Sequence, residues 1–243
     1  MKILGLDSSG IVASVAIVED ENLIAEYTVN YKKTHSQTLL PMLDELAKMT
    51  ELDLDTIDAI AVAAGPGSFT GLRIGSATAK GLGLALKKPL VEIPTVDALA
   101  YNLYDAKALV CPIMDARRSQ VYTGIYRFED HKLVTVEAQM AVPMSELIEK
   151  LNARGEEVIF LGDGVPVFAK MIEENLKVPY SFAPAHVNKQ RAAAVAALGK
   201  IYVKEGKEVT AMEHVPEYLR VSQAERERAQ KLQAETDAGN TKE

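Results

Sequence analysis

Cysteine is almost absent from the sequence: Cys111 is the only one among 243 residues. A single cysteine excludes a disulfide framework, a cysteine-rich zinc site and a redox-active cysteine pair. Long apolar runs are missing as well, because stretches such as Ala59–Ala64 have the length of one strand, whereas a membrane span needs roughly 20 apolar residues. The N-terminus carries only a short apolar stretch, Ile3–Leu6, which is too small for a signal peptide. These absences predict a cytoplasmic protein without membrane contact.

Histidine and basic residues are also in short supply. The four histidines lie at positions 35, 131, 186 and 214, so no two of them have the spacing of metal ligands on one helix, and none belongs to an HExxH-like pattern. Zinc or iron chemistry is therefore not expected from this chain. Acidic residues outnumber basic ones, 34 to 27, which gives a formal net charge of −7. Because phosphate contacts require clustered lysine and arginine, nucleic-acid binding by this chain alone is disfavoured.

What is present is an alternation of apolar strands and amphipathic helices that repeats itself. Lys2–Leu6 is predicted to be a buried strand that ends at Asp7, and Ala108–Met114 a second one that ends at Asp115. In both halves a hairpin, a helix, a strand and another helix follow in the same order. The sequence therefore predicts an α/β protein built from a duplicated βββαβα unit. The predicted helices are Thr38–Met49, Gly71–Leu86, Thr95–Tyr104, Met144–Arg154, one from about residue 166 to residue 175, and Lys189–Lys204.

The repeat divides the chain into an N-terminal lobe, residues 1–105, and a C-terminal lobe, residues 106–220. Residues 221–243 form a third region, in which Ser222–Glu225 has the pattern of a capping box that opens a charged helix. That helix carries only one large apolar residue, Leu232, and therefore has little to bury. We expect this tail to be helical, exposed and partly disordered.

The first candidate site is the turn formed by Asp7, Ser8 and Ser9, at the carboxyl end of the first strand. Ligands tend to bind at that end of an open sheet. Backbone N–H groups of such a turn can hold a phosphate, and Asp7 could hold a metal-bound water. The alternative is a structural turn closed by an Asx-type hydrogen bond, and by itself the motif favours this alternative.

The second candidate is a stripe of small residues on the helix predicted at Gly71–Leu86. Gly71, Gly75, Ala79 and Gly83 recur every four residues, and glycine inside a helix costs about 1 kcal/mol relative to alanine. Such a stripe lets another element approach closely. The approaching element is either part of the same chain or a helix of another chain, and the spacing leaves both open. A neighbouring face carries a second set of small residues, Ala77, Gly81 and Ala85.

Several segments resemble the TsaB (YeaZ) family, and the similarity covers essentially residues 1–220. The most specific is Gly65–Gly75, which reads GPGSFTGLRIG. The others are Leu4–Ser9, His35-Ser36 ahead of Leu40-Pro41, Asp115–Tyr122 and Pro216–Arg220. The resemblance implies the duplicated fold of actin, hexokinase and Hsp70 (ASKHA), with two lobes of βββαβα type. It also implies a role in forming N6-threonylcarbamoyladenosine (t6A) at position 37 of tRNAs that read ANN codons.

In that family the chain is an inactive relative and partner of TsaD, the subunit that transfers the threonylcarbamoyl group, and an ATPase, TsaE, joins the complex. Thr95 and Leu99 stand where TsaD-like proteins carry a metal-binding histidine pair. The resemblance thus implies a non-catalytic subunit without a cofactor of its own, with ATP and metal held by its partners, and contact with tRNA only through the complex. The alternative is an ATP-dependent enzyme of the sugar-kinase or actin-like class.

The resemblance further implies that the TsaD contact, and a homodimer in isolation, use the first two helices of the N-terminal lobe. The helices concerned are those that carry the small-residue stripe and the apolar face before it. The residues expected to contact the partner are Leu39, Leu43, Leu46, Gly71, Leu72, Gly75, Ser76 and Ala79.

Overall fold

A computed structural model describes residues 1–31 and 34–220, and in these residues it contains eleven strands and six α-helices. The predicted tail, including the capping box at Ser222–Glu225, lies outside the described residues. The strands are β1 (Lys2–Asp7), β2 (Ala13–Glu19), β3 (Asn22–Val29), β4 (Ala59–Gly65), β5 (Leu90–Pro94), β6 (Leu109–Asp115), β7 (Gln120–Glu129), β8 (Lys132–Pro143), β9 (Val158–Leu161), β10 (Tyr180–Phe182) and β11 (Glu208–Val209). The helices are α1 (His35–Met49), α2 (Phe69–Leu86), α3 (Thr95–Tyr101), α4 (Met144–Arg154), α5 (Val165–Asn175) and α6 (Ala192–Lys204).

The strands form two sheets with the same connectivity, apart from β11, which has no counterpart in the second sheet. The first has the order β11-β5-β4-β1-β2-β3 and the second β10-β9-β6-β7-β8. In each, the first strand pairs antiparallel with a hairpin on one side and parallel with the strand after the next helix on the other. This confirms the predicted repeat and extends it by a further strand and helix in each half. The short strands β10 and β11 had no periodic signal and were not predicted.

The inner residues of β1, Ile3–Leu6, and all of β4 lack polar side chains, as expected for strands whose sheet is covered by helices on both faces. On one face, leucines of α1 and the stripe of α2 pack against alternate residues of these strands, such as Leu4 and Ile60. On the other face, α6 packs against residues of opposite orientation, such as Ile3 and Ala61. A continuous apolar run is the pattern expected of a strand that is buried on both sides.

The terminal helix of each half packs on the other sheet, although Ala98 of α3 also lies in the core of the first. Helix α6, which follows the second sheet in the chain, joins the core of the first, where the backbone of β1 comes close at Gly5. Helix α3, which follows the first sheet, places Val96 and Leu99 in a core with Val110 and Tyr126 of the second. The predicted boundary between residues 105 and 106 is therefore a boundary in sequence only. Residues 192–209, assigned to the C-terminal lobe, belong by packing to the first sheet.

Three helices begin at residues clearly other than those predicted, and one of them, α2, starts at Phe69 instead of Gly71. Helix α1 starts at His35 rather than after Thr38, so Pro41 lies inside it. The tertiary contact of His35 with the carbonyl of Gly10 accompanies this earlier start. Pro41 and Gln37, whose carbonyl loses its usual helical donor, both face solvent, where water can replace the bond. Helix α6 begins three residues later than predicted. Within residues 1–31 and 34–220, the helices are all too short or too polar to cross a bilayer.

Candidate functional site

The turn after β1 is closed by hydrogen bonds within the protein. One carboxylate oxygen of Asp7, Oδ1, accepts bonds from the backbone N–H and the hydroxyl of Ser9, at 2.8 and 2.6 Å. The hydroxyl of Ser8 donates to the carbonyl of Gly71 at 2.9 Å. All three turn residues are buried. This is the Asx-type turn that was the alternative to a phosphate site, and it leaves the hydroxyls of Ser8 and Ser9 engaged.

The second carboxylate oxygen of Asp7 is buried and has no hydrogen-bond partner among the described residues. Burial raises the pKa of Asp7 from 3.8 to about 6, and the two bonds from Ser9 act in the opposite direction. His35 lies close to the same turn, with Nε2 2.8 Å from the carbonyl oxygen of Gly10. Asp7 is thus a buried carboxyl group whose ionisation is costly, held in place by its own turn.

The first-strand turn packs closely against small residues of α2 and of the loop that precedes it. A Cβ atom at Gly71 would lie 2.0 Å from the carbonyl oxygen of Ser8, and one at Gly67 would lie 2.3 Å from that of Ser9. At Gly75 it would lie 2.6 Å from the Ser8 hydroxyl. The element that approaches Gly71 and Gly75 is therefore the first-strand turn of the same chain, whereas Gly83, at the far end of the stripe, faces Leu90 and Ala211. Ser68 is the N-cap of α2, since its side chain accepts a bond from the N–H of Gly71.

The eight residues predicted to contact a partner are all buried in the isolated chain. Those of α1 belong to the core of the first sheet, and those of α2 face the turn and the strands beneath it. In the isolated chain a partner reaches them only by unpacking the lobe, so their burial argues against a direct contact, and the contact itself stays a prediction. The residues concerned are Leu39, Leu43, Leu46, Gly71, Leu72, Gly75, Ser76 and Ala79.

The opposite side of the two helices is open. On α2 it carries the second set of small residues, and a Cβ atom added at Gly81 would meet nothing within 4 Å. Leu84 of α2 and Leu40 of α1 are 60% and 52% exposed. We call this surface the outer face of α1 and α2; its exposed residues are Leu40, Asp44, Lys48, Arg73, Ala77, Gly81, Leu84 and Ala85. The sequence did contain its signal, in the small residues on the neighbouring face.

A cleft of about 550 Å³ lies between the two halves. Ser9 and Ser68 line it from the first half, and Asp115, Arg117 and Asp163 from the second. Arg117 pairs with Asp115 at 3.2 Å and begins a run of three residues with positive φ. Burial raises the pKa of Asp163, while the charge of nearby Lys189 lowers it. The equivalent ends of β1 and β6 thus meet at this cleft, as expected from the repeat.

Comparison with known proteins gives consistent results. The family model described as TsaD, tRNA N6-adenosine threonylcarbamoyltransferase, matches residues 22–228. The tRNA threonylcarbamoyladenosine biosynthesis protein TsaB of Bacillus subtilis is 35% identical over 93% of this chain and 96% of its own length. The Escherichia coli protein of the same name is 30% identical over 68% of this chain and 72% of its own. The solved structure of YeaZ from Pseudomonas aeruginosa is 26% identical and superposes with a TM-score of 0.77, covering 90% of this chain and 99% of that one.

Two sheets built on the same strand order, with a cleft between them, define a duplicated α/β protein, as predicted. Within that class, the identity to curated relatives over nearly the whole chain decides the family. The chain belongs to the TsaB (YeaZ) family.

Proposed function

We propose that this chain is a non-catalytic subunit required for t6A formation at position 37 of tRNAs that read ANN codons. It binds and supports a TsaD-like transferase in a complex that a TsaE-like ATPase joins. The observation that carries the proposal is the 35% identity, over 93% of the chain, to a protein named for threonylcarbamoyladenosine biosynthesis. A tRNA-modifying role places the protein in the cytoplasm.

The non-catalytic part of the proposal is supported by what stands at the positions of the TsaD histidine pair. Thr95 and Leu99 occupy them, both are buried, and neither offers an imidazole. On the first-strand turn, Ser8 and one oxygen of Asp7 are already bonded within the chain. ATP and metal are accordingly assigned to the partner subunits, and tRNA is reached only through the complex.

The contact with TsaD is assigned to the outer face of α1 and α2. Its small side chains allow another helix pair to approach closely, and the exposed Leu40 and Leu84 supply apolar area that is costly to leave in water. The same face serves a homodimer of the isolated chain, so the two assemblies exclude each other. The buried leucines of α1 and the stripe of α2 support this face from beneath.

The first prediction tests this assignment by changing one small side chain. Ala77 lies on the outer face of α2, and Ala153 is an exposed alanine on α4 of the second half. Ala77→Leu should weaken association with purified TsaD at least roughly tenfold, because a bulky side chain holds the helices apart. Ala153→Leu makes the same chemical change away from the face and should bind normally.

The measurement is analytical sizing and titration of each variant with TsaD, followed by t6A formation on tRNA in the reconstituted complex. Circular dichroism confirms that both variants are folded. Normal affinity and normal modification with Ala77→Leu would remove the outer face from the proposal. Modification of tRNA by the chain alone would overturn the non-catalytic assignment itself.

A further inference from the structure

Residues 210–220, which we call the clasp, follow β11 and run back over the start of α2 towards the second half of the molecule. Their first anchor is Glu92 on β5. One oxygen of Glu92 lies 2.7 Å from Nδ1 of His214 and accepts the backbone N–H of Val215 at 3.1 Å. His214 is completely buried. The beginning of the clasp is therefore fixed to the first sheet by a charged group and two hydrogen bonds.

The second anchor is the loop between β4 and α2. The N–H of Glu217 donates to the carbonyl of Ala64 at 2.7 Å. Gly65 has a φ of +129°, and a Cβ atom there would lie 2.2 Å from the carbonyl oxygen of Glu217. Only glycine combines this conformation with this approach. The first glycine of the GPGSF segment is thus explained by Glu217 of the clasp, 152 residues further along the chain.

The clasp also holds the first residue of α2 by aromatic packing. The ring of Tyr218 lies 4.6 Å from that of Phe69, measured between centroids. The guanidinium of Arg73, one turn along α2, lies 4.0 Å from the centroid of the same Phe69 ring. Aromatic and cation–π contacts of this kind favour one orientation of the groups involved. Arg73 is itself part of the outer face of α1 and α2.

The third anchor is the second half of the molecule. The side-chain amide of Gln139, on β8, donates to the carboxylate of Glu217 at 2.6 Å. The guanidinium of Arg220 donates to the carbonyl of Ala116. Ala116 lines the interlobe cleft from one side, and Ser68, which begins α2, lines it from the other. The clasp is therefore attached to both walls of the cleft and to the start of α2.

We propose that Glu217 and Tyr218 are positioning residues: the clasp couples the start of α2 to the second half of the molecule, so that the cleft and the outer face change together. That the outer face binds a partner rests on the proposed function, whereas the coupling itself is a property of the isolated chain. Tyr218 acts through Phe69, and Glu217 acts through Gln139. A segment that merely packs on the surface would stabilise α2 without making it sensitive to a residue on β8.

Hydrogen exchange of the isolated full-length chain tests the coupling. The amides to follow are Ser68, Gly71 and Leu72, which bond to Ser9, to the Ser68 side chain and to the Ser68 carbonyl. Tyr218→Ala should speed their exchange roughly three- to tenfold, since local opening depends on the contacts that hold an element down. Tyr218→Phe keeps the ring and should restore the normal rate. Tyr31→Ala, at an exposed tyrosine of the first half, is the matched control and should change nothing at these amides.

The decisive variant is Gln139→Ala, which removes a bond to the clasp from the other half of the molecule. It should speed hydrogen exchange of the same three amides, although Gln139 lies on β8, a strand of the second sheet. Unchanged exchange with Gln139→Ala would overturn the coupling, and unchanged exchange with Tyr218→Ala would overturn the positioning role. If Tyr218→Ala unfolds the chain, the milder Gln139→Ala still decides. None of these measurements uses TsaD, so their outcome is independent of whether the outer face binds it.

Discussion

At the scale of single residues, Asp7 shows how a motif can look like a ligand site and serve the fold. The sequence shows its position at the end of β1 and its serine neighbours. That pattern fits both a phosphate site and a structural turn. In the structure Ser9 donates two hydrogen bonds to one carboxylate oxygen of Asp7, and the carbonyl of Gly71 accepts one from the hydroxyl of Ser8. These partners come from the chain itself and, for Gly71, from 63 residues away. No local pattern could have supplied that.

The burial of Asp7 predicts how stability depends on pH. Below about pH 4 the carboxyl group is protonated in both states; between about pH 4 and 6 the unfolded chain releases the proton while the folded chain keeps it. The stability that this group contributes is therefore lost as the pH rises through that range. A pKa difference of about 2 between the unfolded and the folded chain corresponds to about 3 kcal/mol of unfolding free energy.

Asp7→Asn should abolish this loss, because the amide is neutral and its oxygen can still accept from Ser9. Urea unfolding at pH 4, 5 and 7 should give the variant a flatter profile than the wild type. The control is Asp130→Asn, at an exposed position, which should give the same pH profile as the wild type. A wild-type profile in Asp7→Asn would show that the carboxyl group does not titrate as inferred.

At the scale of elements, α2 separates what the sequence can predict from what it cannot. The four-residue spacing of Gly71, Gly75 and Ala79 predicted that something approaches closely, and this is confirmed. Spacing does not reveal which element approaches, because a turn of the same chain and a helix of another chain need the same empty volume. The outer face was identifiable only as a second set of small residues until the burial of the first set was known.

Two glycines of α2 give a matched pair of predictions. Gly81→Ala adds a methyl group in open space and should stabilise the chain by up to about 1 kcal/mol through helix propensity. Gly71→Ala makes the same change 2.0 Å from the Ser8 carbonyl oxygen, so the turn or the helix must move, at a cost of about 2 kcal/mol or more.

Thermal unfolding of both variants beside the wild type measures the difference. Equal effects of the two substitutions would mean that the contact between Gly71 and the turn is not as close as the structure has it. The secondary structure itself was largely predictable here: α2 begins two residues before the predicted start and ends where expected.

At the scale of the whole molecule, the two halves are interlocked by their terminal helices. The repeat of elements was predicted from the sequence, because apolar runs, turns and helices follow in the same order in both halves. The exchange of α3 and α6 was not, since an alanine-rich helix such as α6 fits equally well on either sheet by its pattern. Its place is set by backbone proximity, with Gly5 against the Ala192 carbonyl and Gly199 against Ala61.

The interlocking predicts which fragments fold. Residues 1–105 lack α6 and leave one face of the first sheet uncovered, so this fragment should show no cooperative unfolding transition in urea. Residues 95–187 contain the second sheet with α3, α4 and α5, and should unfold cooperatively. A cooperative transition in the first fragment would contradict the packing role of α6.

The return of α6 and β11 to the first sheet also has a consequence during translation. In a nascent chain β1 is exposed to solvent early, yet the strand cannot be covered on both faces until α6 has left the ribosome. The core that includes α3 and the second sheet needs nothing beyond about residue 187 and can close earlier. Of the two described halves, the one synthesised second is thus completed first, and β1 waits for α6.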